Sequence, residues 1–174
     1  MTIQKSANRM PDKKLAGVCG LFCNACNIYI ATVEDPIRLQ TLCERYGLSS
    51  EQVACYGCRS EKRFPYCETC KIRRCSIEKG IEFCGECDDY PCEELLVFQA
   101  SRPHRIEIRD SLSYMQSAGF QGWFDEMLKQ YSCGNCNTLN SAYDLSCREC
   151  NTVPSCRYVQ RHGTEVKRYL DTRK

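Results

Sequence analysis

Cys67-Glu68-Thr69-Cys70-Lys71-Ile72-Arg73-Arg74-Cys75 and Cys84-Gly85-Glu86-Cys87-Asp88-Asp89-Tyr90-Pro91-Cys92 carry one pattern, C-x2-C-x4-C, repeated seventeen residues apart. Two cysteines separated by two residues can point both thiolates at one ion, so the repeat reads as a duplicated metal knuckle. The same spacing recurs at Cys23/Cys26, Cys55/Cys58, Cys133/Cys136 and Cys147/Cys150, and the whole chain holds 17 cysteines in 174 residues. Around the repeat, apolar material is thin. Leu21, Phe22, Ile28, Tyr29, Ile30 and one helical stripe are the grouped large side chains of residues 1–92. A module with so little core leans on metal for its fold.

A disulfide framework is the rival explanation, and the first residues weigh against it. MTIQKSANRM contains no apolar core of a secretory signal. The expected setting is a reducing cytoplasm, where disulfides do not persist, and an odd number of cysteines suits pairing poorly. No run of eighteen apolar residues is present, which argues against a membrane-spanning helix.

The carboxy-terminal group, Cys133-Gly134-Asn135-Cys136 followed after ten residues by Cys147-Arg148-Glu149-Cys150, reads as a zinc ribbon: two knuckles facing each other across a short hairpin, closed by four thiolates. A knuckle turn needs a residue at positive φ after its second cysteine. Asn137 and Asn151 occupy both places, and asparagine tolerates that region better than most residues. Cys156 is left over and is expected to be free.

Twelve cysteines remain in the amino-terminal region. Cys55, Cys58, Cys67 and Cys70 make one plausible site, and Cys75, Cys84, Cys87 and Cys92 a second; interleaved sets, such as Cys75 with the first group, stay open. Cys92 follows Pro91 at a helix start, where free amides and the dipole favour a thiolate. Cys19, Cys23 and Cys26 stand apart, with Cys43, a water or an outside ligand as fourth donor. Three protein ligands and an open position describe catalytic zinc or an iron-sulfur cluster. The C-x3-C-x2-C spacing also occurs in radical S-adenosylmethionine enzymes, but their β/α barrel needs a longer, alternating chain. Cys43 shares a helical stripe with Leu39, Leu42 and Tyr46 and is expected to be a small buried hydrophobe.

Organisation follows from the rest of the pattern. Asp35-Pro36 opens a helix that Gly47 closes. Another begins near Cys92-Glu93-Glu94 and stops before Pro103. Ile108, Leu112 and Met115 form a helical register up to Gly119; Phe124, Met127, Leu128 and Tyr131 form the next, with Trp123 as core. The expectation is a small metal-stabilised α+β fold. It comprises an N-terminal tail (1–18), a cysteine-rich multi-zinc module (19–92), a helical segment (93–131), the zinc ribbon (132–156) and a basic C-terminal tail or helix (157–174). Three or four zinc ions are expected, with an iron-sulfur cluster as the alternative at Cys19, Cys23 and Cys26.

Catalytic constellations are scarce: there is no Gly-x-Ser-x-Gly, no Walker loop and no Gly-x-Gly-x-x-Gly. His104 and His162 lack metal spacing and read as surface or capping residues. Glu82, Glu86, Asp88, Asp89, Glu93 and Glu94 form a run free of Lys and Arg, either a solvated face or a docking surface. Basic clusters at residues 59–79 and 157–174 raise the question of nucleic acid. The formal charge is +2, yet each four-thiolate zinc site adds a net −2, which brings three or four sites to roughly −4 to −6. Strong attraction for phosphates is therefore not favoured.

Cys19-Gly20-Leu21-Phe22-Cys23-Asn24-Ala25-Cys26 with Tyr29-Ile30-Ala31-Thr32, then Cys55-Tyr56-Gly57-Cys58, Cys67 to Cys70 with Ile72-Arg73-Arg74-Cys75, Lys79-Gly80, and Asp89-Tyr90-Pro91-Cys92-Glu93 resemble the cysteine-rich bacterial and archaeal family catalogued as domain of unknown function 3795. The resemblance covers residues 19 to about 100. It implies metal binding, with zinc as the metal, and no established reaction. The family often has Asp where this chain has Phe22, so a metal-site role for that acid does not carry over. Taken together, the expected function is a zinc-stabilised interaction or adaptor protein with a protein partner; redox or enzymatic work at Cys19, Cys23 and Cys26, and nucleic-acid binding, are the alternatives.

Overall fold

A computed structural model describes residues 10–173. The architecture is mostly helical: α1 (Asn27–Val33), α2 (Pro36–Tyr46), α3 (Ser50–Val53), α4 (Pro65–Glu68), α5 (Lys71–Lys79), α6 (Glu93–Ala100), α7 (Ile108–Tyr131) and α8 (Arg157–Asp171), with 3-10 turns at Lys13–Leu15, Cys23–Ala25, Cys84–Glu86 and Pro103–Arg105. Among the described residues there is no strand; Ala16 with Phe22 and Ser132 with Leu139 form only isolated antiparallel bridges. The α+β expectation is corrected accordingly. Tight turns close the carboxy-terminal knuckles without extended ladders between them.

Helix boundaries follow local chemistry. The Asp35 carboxylate caps α2 by accepting from the Arg38 amide, Pro36 supplies a preset φ, and Gly47 ends the helix at φ 64°. In α7 the two registers meet at Gly119, whose φ of 72° and ψ of 171° break the helix between its halves. Two buried clusters result. The smaller joins Ala31, Leu42 and Val53, with Leu39 and Cys43 packed against them, which matches the reading of Cys43 as an apolar filler.

The larger cluster is shared by segments far apart in sequence: Ala16, Val18 and Phe22 lie in it with Leu95, Leu112, Trp123, Phe124 and Tyr158. Phe22, inside the first cysteine group, is its plug. Its ring meets Trp123 and Phe124 edge-on, with centroids 5.8 and 5.3 Å away, and stacks on Tyr131 at 6.1 Å. Trp123 is fully buried and donates to Ser111 Oγ at 2.7 Å, and Ser111 Oγ donates to the Gly20 carbonyl at 2.7 Å. Gly20 sits at φ +88°, and a Cβ there would come within 2.8 Å of Leu112. The amino-terminal knuckle is thus laid directly on α7, and only glycine allows that approach.

Candidate metal centre

Cys133, Cys136, Cys147 and Cys150 form the centre. Their four sulfurs all lie within 4.8 Å of one another; Cys133 and Cys150 are 3.6 Å apart, and Cys136 and Cys147 are 3.5 Å apart. Each half is built by one turn used twice. The Cys133 and Cys147 amides donate to the Thr138 and Thr152 carbonyls, and the Asn137 and Asn151 amides return to the Cys133 and Cys147 carbonyls, all at 2.8–2.9 Å. Asn137 and Asn151 stand at φ 59° and 58°, the left-handed conformation expected of them.

The repeated unit is longer than two cysteines: C-x2-C-Asn-Thr occurs in both halves. The hydroxyls of Thr138 and Thr152 sit 3.3 and 3.1 Å from the Cys136 and Cys150 sulfurs. Hydrogen bonds from the Thr152 hydroxyl and amide, then from Asn135 and Cys136, lower Cys150 to about 5. Burial raises Cys136 to about 11. Behind the turns, fully buried Asn140 donates to the Thr138 and Ser155 carbonyls and accepts from the Arg148 amide. Neither threonine nor Asn140 is marked by cysteine spacing, although the repeated Asn-Thr pair was there to be read.

This module is fastened to the first helices by ion pairs. Arg38 pairs with Asp144 at 3.0 Å, both side chains about 15% exposed, and Arg148 pairs with Glu34.

The amino-terminal thiols are arranged differently. Among the described residues, none of them forms a set as tight as the carboxy-terminal four. Burial, followed by the Cys58 sulfur, raises Cys19 and Cys23 well above the usual thiol range. Cys84 is pushed up to about 12 by burial and by Cys92, Cys75 and Cys87. Burial likewise raises Cys67, with Cys26 and Cys55 as its next causes. The electrostatic influence of thiols from residues 55–84 reaches Cys19, Cys23 and Cys26, although among the described residues no three amino-terminal sulfurs converge as the carboxy-terminal four do. Cys156 is buried, has its pKa raised by burial, and receives the Ser155 hydroxyl at 3.6 Å, outside the four-sulfur set.

One other sequence reading changes. His104 is half-buried and hydrogen-bonded rather than a plain surface residue: Arg105 Nε donates to its Nε2 at 3.3 Å, so Nδ1 carries the proton toward the Tyr143 hydroxyl at 2.5 Å. Burial, then Arg105 and Arg102, lower its pKa to about 3. His162 bonds Glu107 at 2.7 Å. Three acids of the acidic run are paired while staying solvent-exposed: Glu82 with Lys13, Asp89 with Lys79 and Glu94 with Lys71.

These features define a helical, cysteine-rich protein with a four-cysteine cluster able to hold a metal ion. Residues 15–97 match the family model described as "Protein of unknown function (DUF3795)", the family named by the resemblance; the four-cysteine cluster lies outside that match. No curated protein and no solved structure matches the chain. Among the described residues, no helix is long and apolar enough to cross a membrane.

Proposed function

We propose that this chain is a zinc-stabilised interaction or adaptor protein, in which closed thiolate sites supply folding energy and helical surface meets a protein partner. The observation that carries this reading is the closed geometry of Cys133, Cys136, Cys147 and Cys150, whose sulfurs lie within 4.8 Å of one another. Four thiolates fill a tetrahedral ion's coordination and leave no position for a reacting water. An all-sulfur tetrahedral donor set suits zinc, and its closure suits architecture.

Two further observations support it. A cleft lined by Lys13, Glu82, Phe83, Met115 and Phe120 measures about 210 Å³, below the ~300–1,000 Å³ of usual small-molecule sites. Ile77 on α5 and Val97 on α6 are 62% and 61% exposed, apolar side chains suited to contact with another protein.

Metal removal tests the reading. Chelation of the full chain should release zinc and abolish most far-UV circular dichroism from the cysteine-rich half and the carboxy-terminal module together. Full retention of that signal in verified metal-free protein would overturn the proposal.

A further inference from the structure

We infer that Arg102, Arg105 and Arg173, interleaved with Tyr66, Tyr143 and Tyr169, form a binding strip for single-stranded nucleic acid, with the guanidiniums on phosphates and the tyrosine rings against bases. The inference goes beyond the adaptor reading and does not depend on which metal the cysteines hold.

It starts from Arg105, a guanidinium without a counter-charge. The residue is 6% exposed, and every group it bonds is neutral: Nε donates to His104 Nε2 at 3.3 Å, Nη1 to the Phe98 carbonyl at 3.2 Å and to Ser101 Oγ at 2.7 Å, and Nη2 to the Tyr66 hydroxyl at 3.4 Å. The guanidinium carbon also lies 3.6 Å from the centroid of the Phe98 ring. A charge withdrawn from water among dipoles alone is costly, and an anion beside it offsets that cost. Arg38, Arg63 and Arg148, by contrast, each meet a carboxylate.

Arg102 and Arg173 carry the same feature toward solvent. Their guanidiniums lie 5.4 and 4.6 Å from the centroid of the Tyr169 ring, and Arg102 donates to the Tyr169 hydroxyl. Among the described residues, none of these three arginines forms an ion pair with a carboxylate. The Tyr169 ring meets Tyr143 at 5.7 Å, Tyr143 meets His104 at 5.3 Å, and the neighbouring Arg105 lies 5.7 Å from the Tyr66 ring. Cations and rings are thus interspersed from α8, past Tyr143 of the carboxy-terminal module, to α4. Arg173 and Tyr66 at the two ends are exposed, Tyr66 by 53%; Arg102, Tyr143 and Tyr169 between them are half-buried.

This interspersion selects the ligand. Arginine forks match phosphate oxygens, and tyrosine faces accept bases of any sequence by stacking. A duplex keeps its base faces stacked on one another, and an acidic peptide has no use for the rings; a single strand supplies both partners. The net charge of the chain does not decide the matter, because at physiological salt a phosphate responds mainly to charges within about 8 Å.

The test follows the anisotropy of a fluorescein-labelled, short single-stranded RNA of mixed sequence as the full chain is added over a series of salt concentrations. Binding should weaken with salt, and Arg102→Gln and Arg173→Gln should each reduce the slope of log K against log salt by about 0.7, one phosphate contact apiece. Tyr66→Ser should lower affinity about fivefold or more at an unchanged slope, whereas Tyr66→Phe should retain it. Arg157→Gln removes the same charge from α8 outside the strip and should leave the slope as it is. Absence of strand binding at low salt would overturn the inference, as would equal effects of Arg157→Gln and Arg173→Gln. Competition as effective as the strand's own would overturn it too: from duplex RNA in favour of unspecific charge, from polyglutamate in favour of an acidic peptide, and from uridine monophosphate in favour of a small phosphate ligand. Should Tyr66→Ser fail to fold, the arginine variants and the competition series on the unmodified chain decide.

Discussion

The carboxy-terminal module and the cysteine-rich half use the same C-x2-C spacing under different constraints. Cys133 to Cys150 lie within eighteen consecutive residues, two copies of one asparagine-threonine turn shape the knuckles through local hydrogen bonds, and the sulfurs meet across them at 3.5–3.6 Å. Cys19 to Cys92 are gathered from dispersed segments, and what holds them is packing against other parts of the chain: Phe22 in the α7 aromatics, Gly20 on Leu112, Gly57 on Lys14. A local site is preorganised by its own backbone. A dispersed one inherits its geometry from the tertiary fold, so damage far from any sulfur should reach it.

The sharpest way to break this contrast is Phe22→Ala. Removing a buried ring from between Trp123, Phe124 and Tyr131 should cost about 3–5 kcal/mol. The loss should weaken metal retention in the cysteine-rich half before it affects the carboxy-terminal centre, as read by denaturant unfolding combined with metal release. Equal loosening of both regions would mean that the carboxy-terminal module also depends on the shared core.

His104 tests the seam between the regions, since its ring meets Tyr143 of the carboxy-terminal module. Its folded pKa, about 3, lies below the ordinary 6.5, so the unfolded chain takes up the proton first on acidification. Stability is then fully present above about pH 6.5 and falls progressively toward pH 3, with about 2 kcal/mol lost by pH 5. His104→Gln should lack this component. Comparing the two proteins at pH 7 and pH 5 cancels the thiolate protonation they share, and an unchanged difference between them would refute the assignment.

Asn137 gives the smallest and most local effect. Asn137→Ala should cost about 1 kcal/mol through left-handed strain, whereas Asn137→Gly should be nearly neutral. Both should act on zinc affinity at the carboxy-terminal centre alone. Thermal unfolding with a zinc-competition titration would check this, and similar losses for Ala and Gly would show that the asparagine side chain, not its φ, matters.

Much of the fold was legible where chemistry is local. The Asp35-Pro36 start and Gly47 stop of α2, the break at Gly119 and the left-handed Asn137 and Asn151 each follow from one or two neighbouring residues. The four-sulfur centre was legible for the same reason. His104 was misread because its burial comes from Tyr143 and from the arginines beside it, which no periodicity reveals. The pairing within the acidic run was not legible because Lys13 and Lys71 approach from other segments. The missing strands have a comparable cause: knuckle spacing specifies turns and says nothing about how far the pairing between them extends.

By itself, the sequence determined that this chain is cysteine-rich, that its carboxy-terminal four cysteines converge, and where most helices begin and end, because caps, glycines and knuckle turns act over a few residues. Only the tertiary structure decided that Phe22 belongs to the helical core, that Gly20 lies on α7, and that the Val18 carbonyl accepts from the Cys84 amide. Those placements depend on which distant surfaces bury one another, a property of the packed chain that residue spacing does not encode.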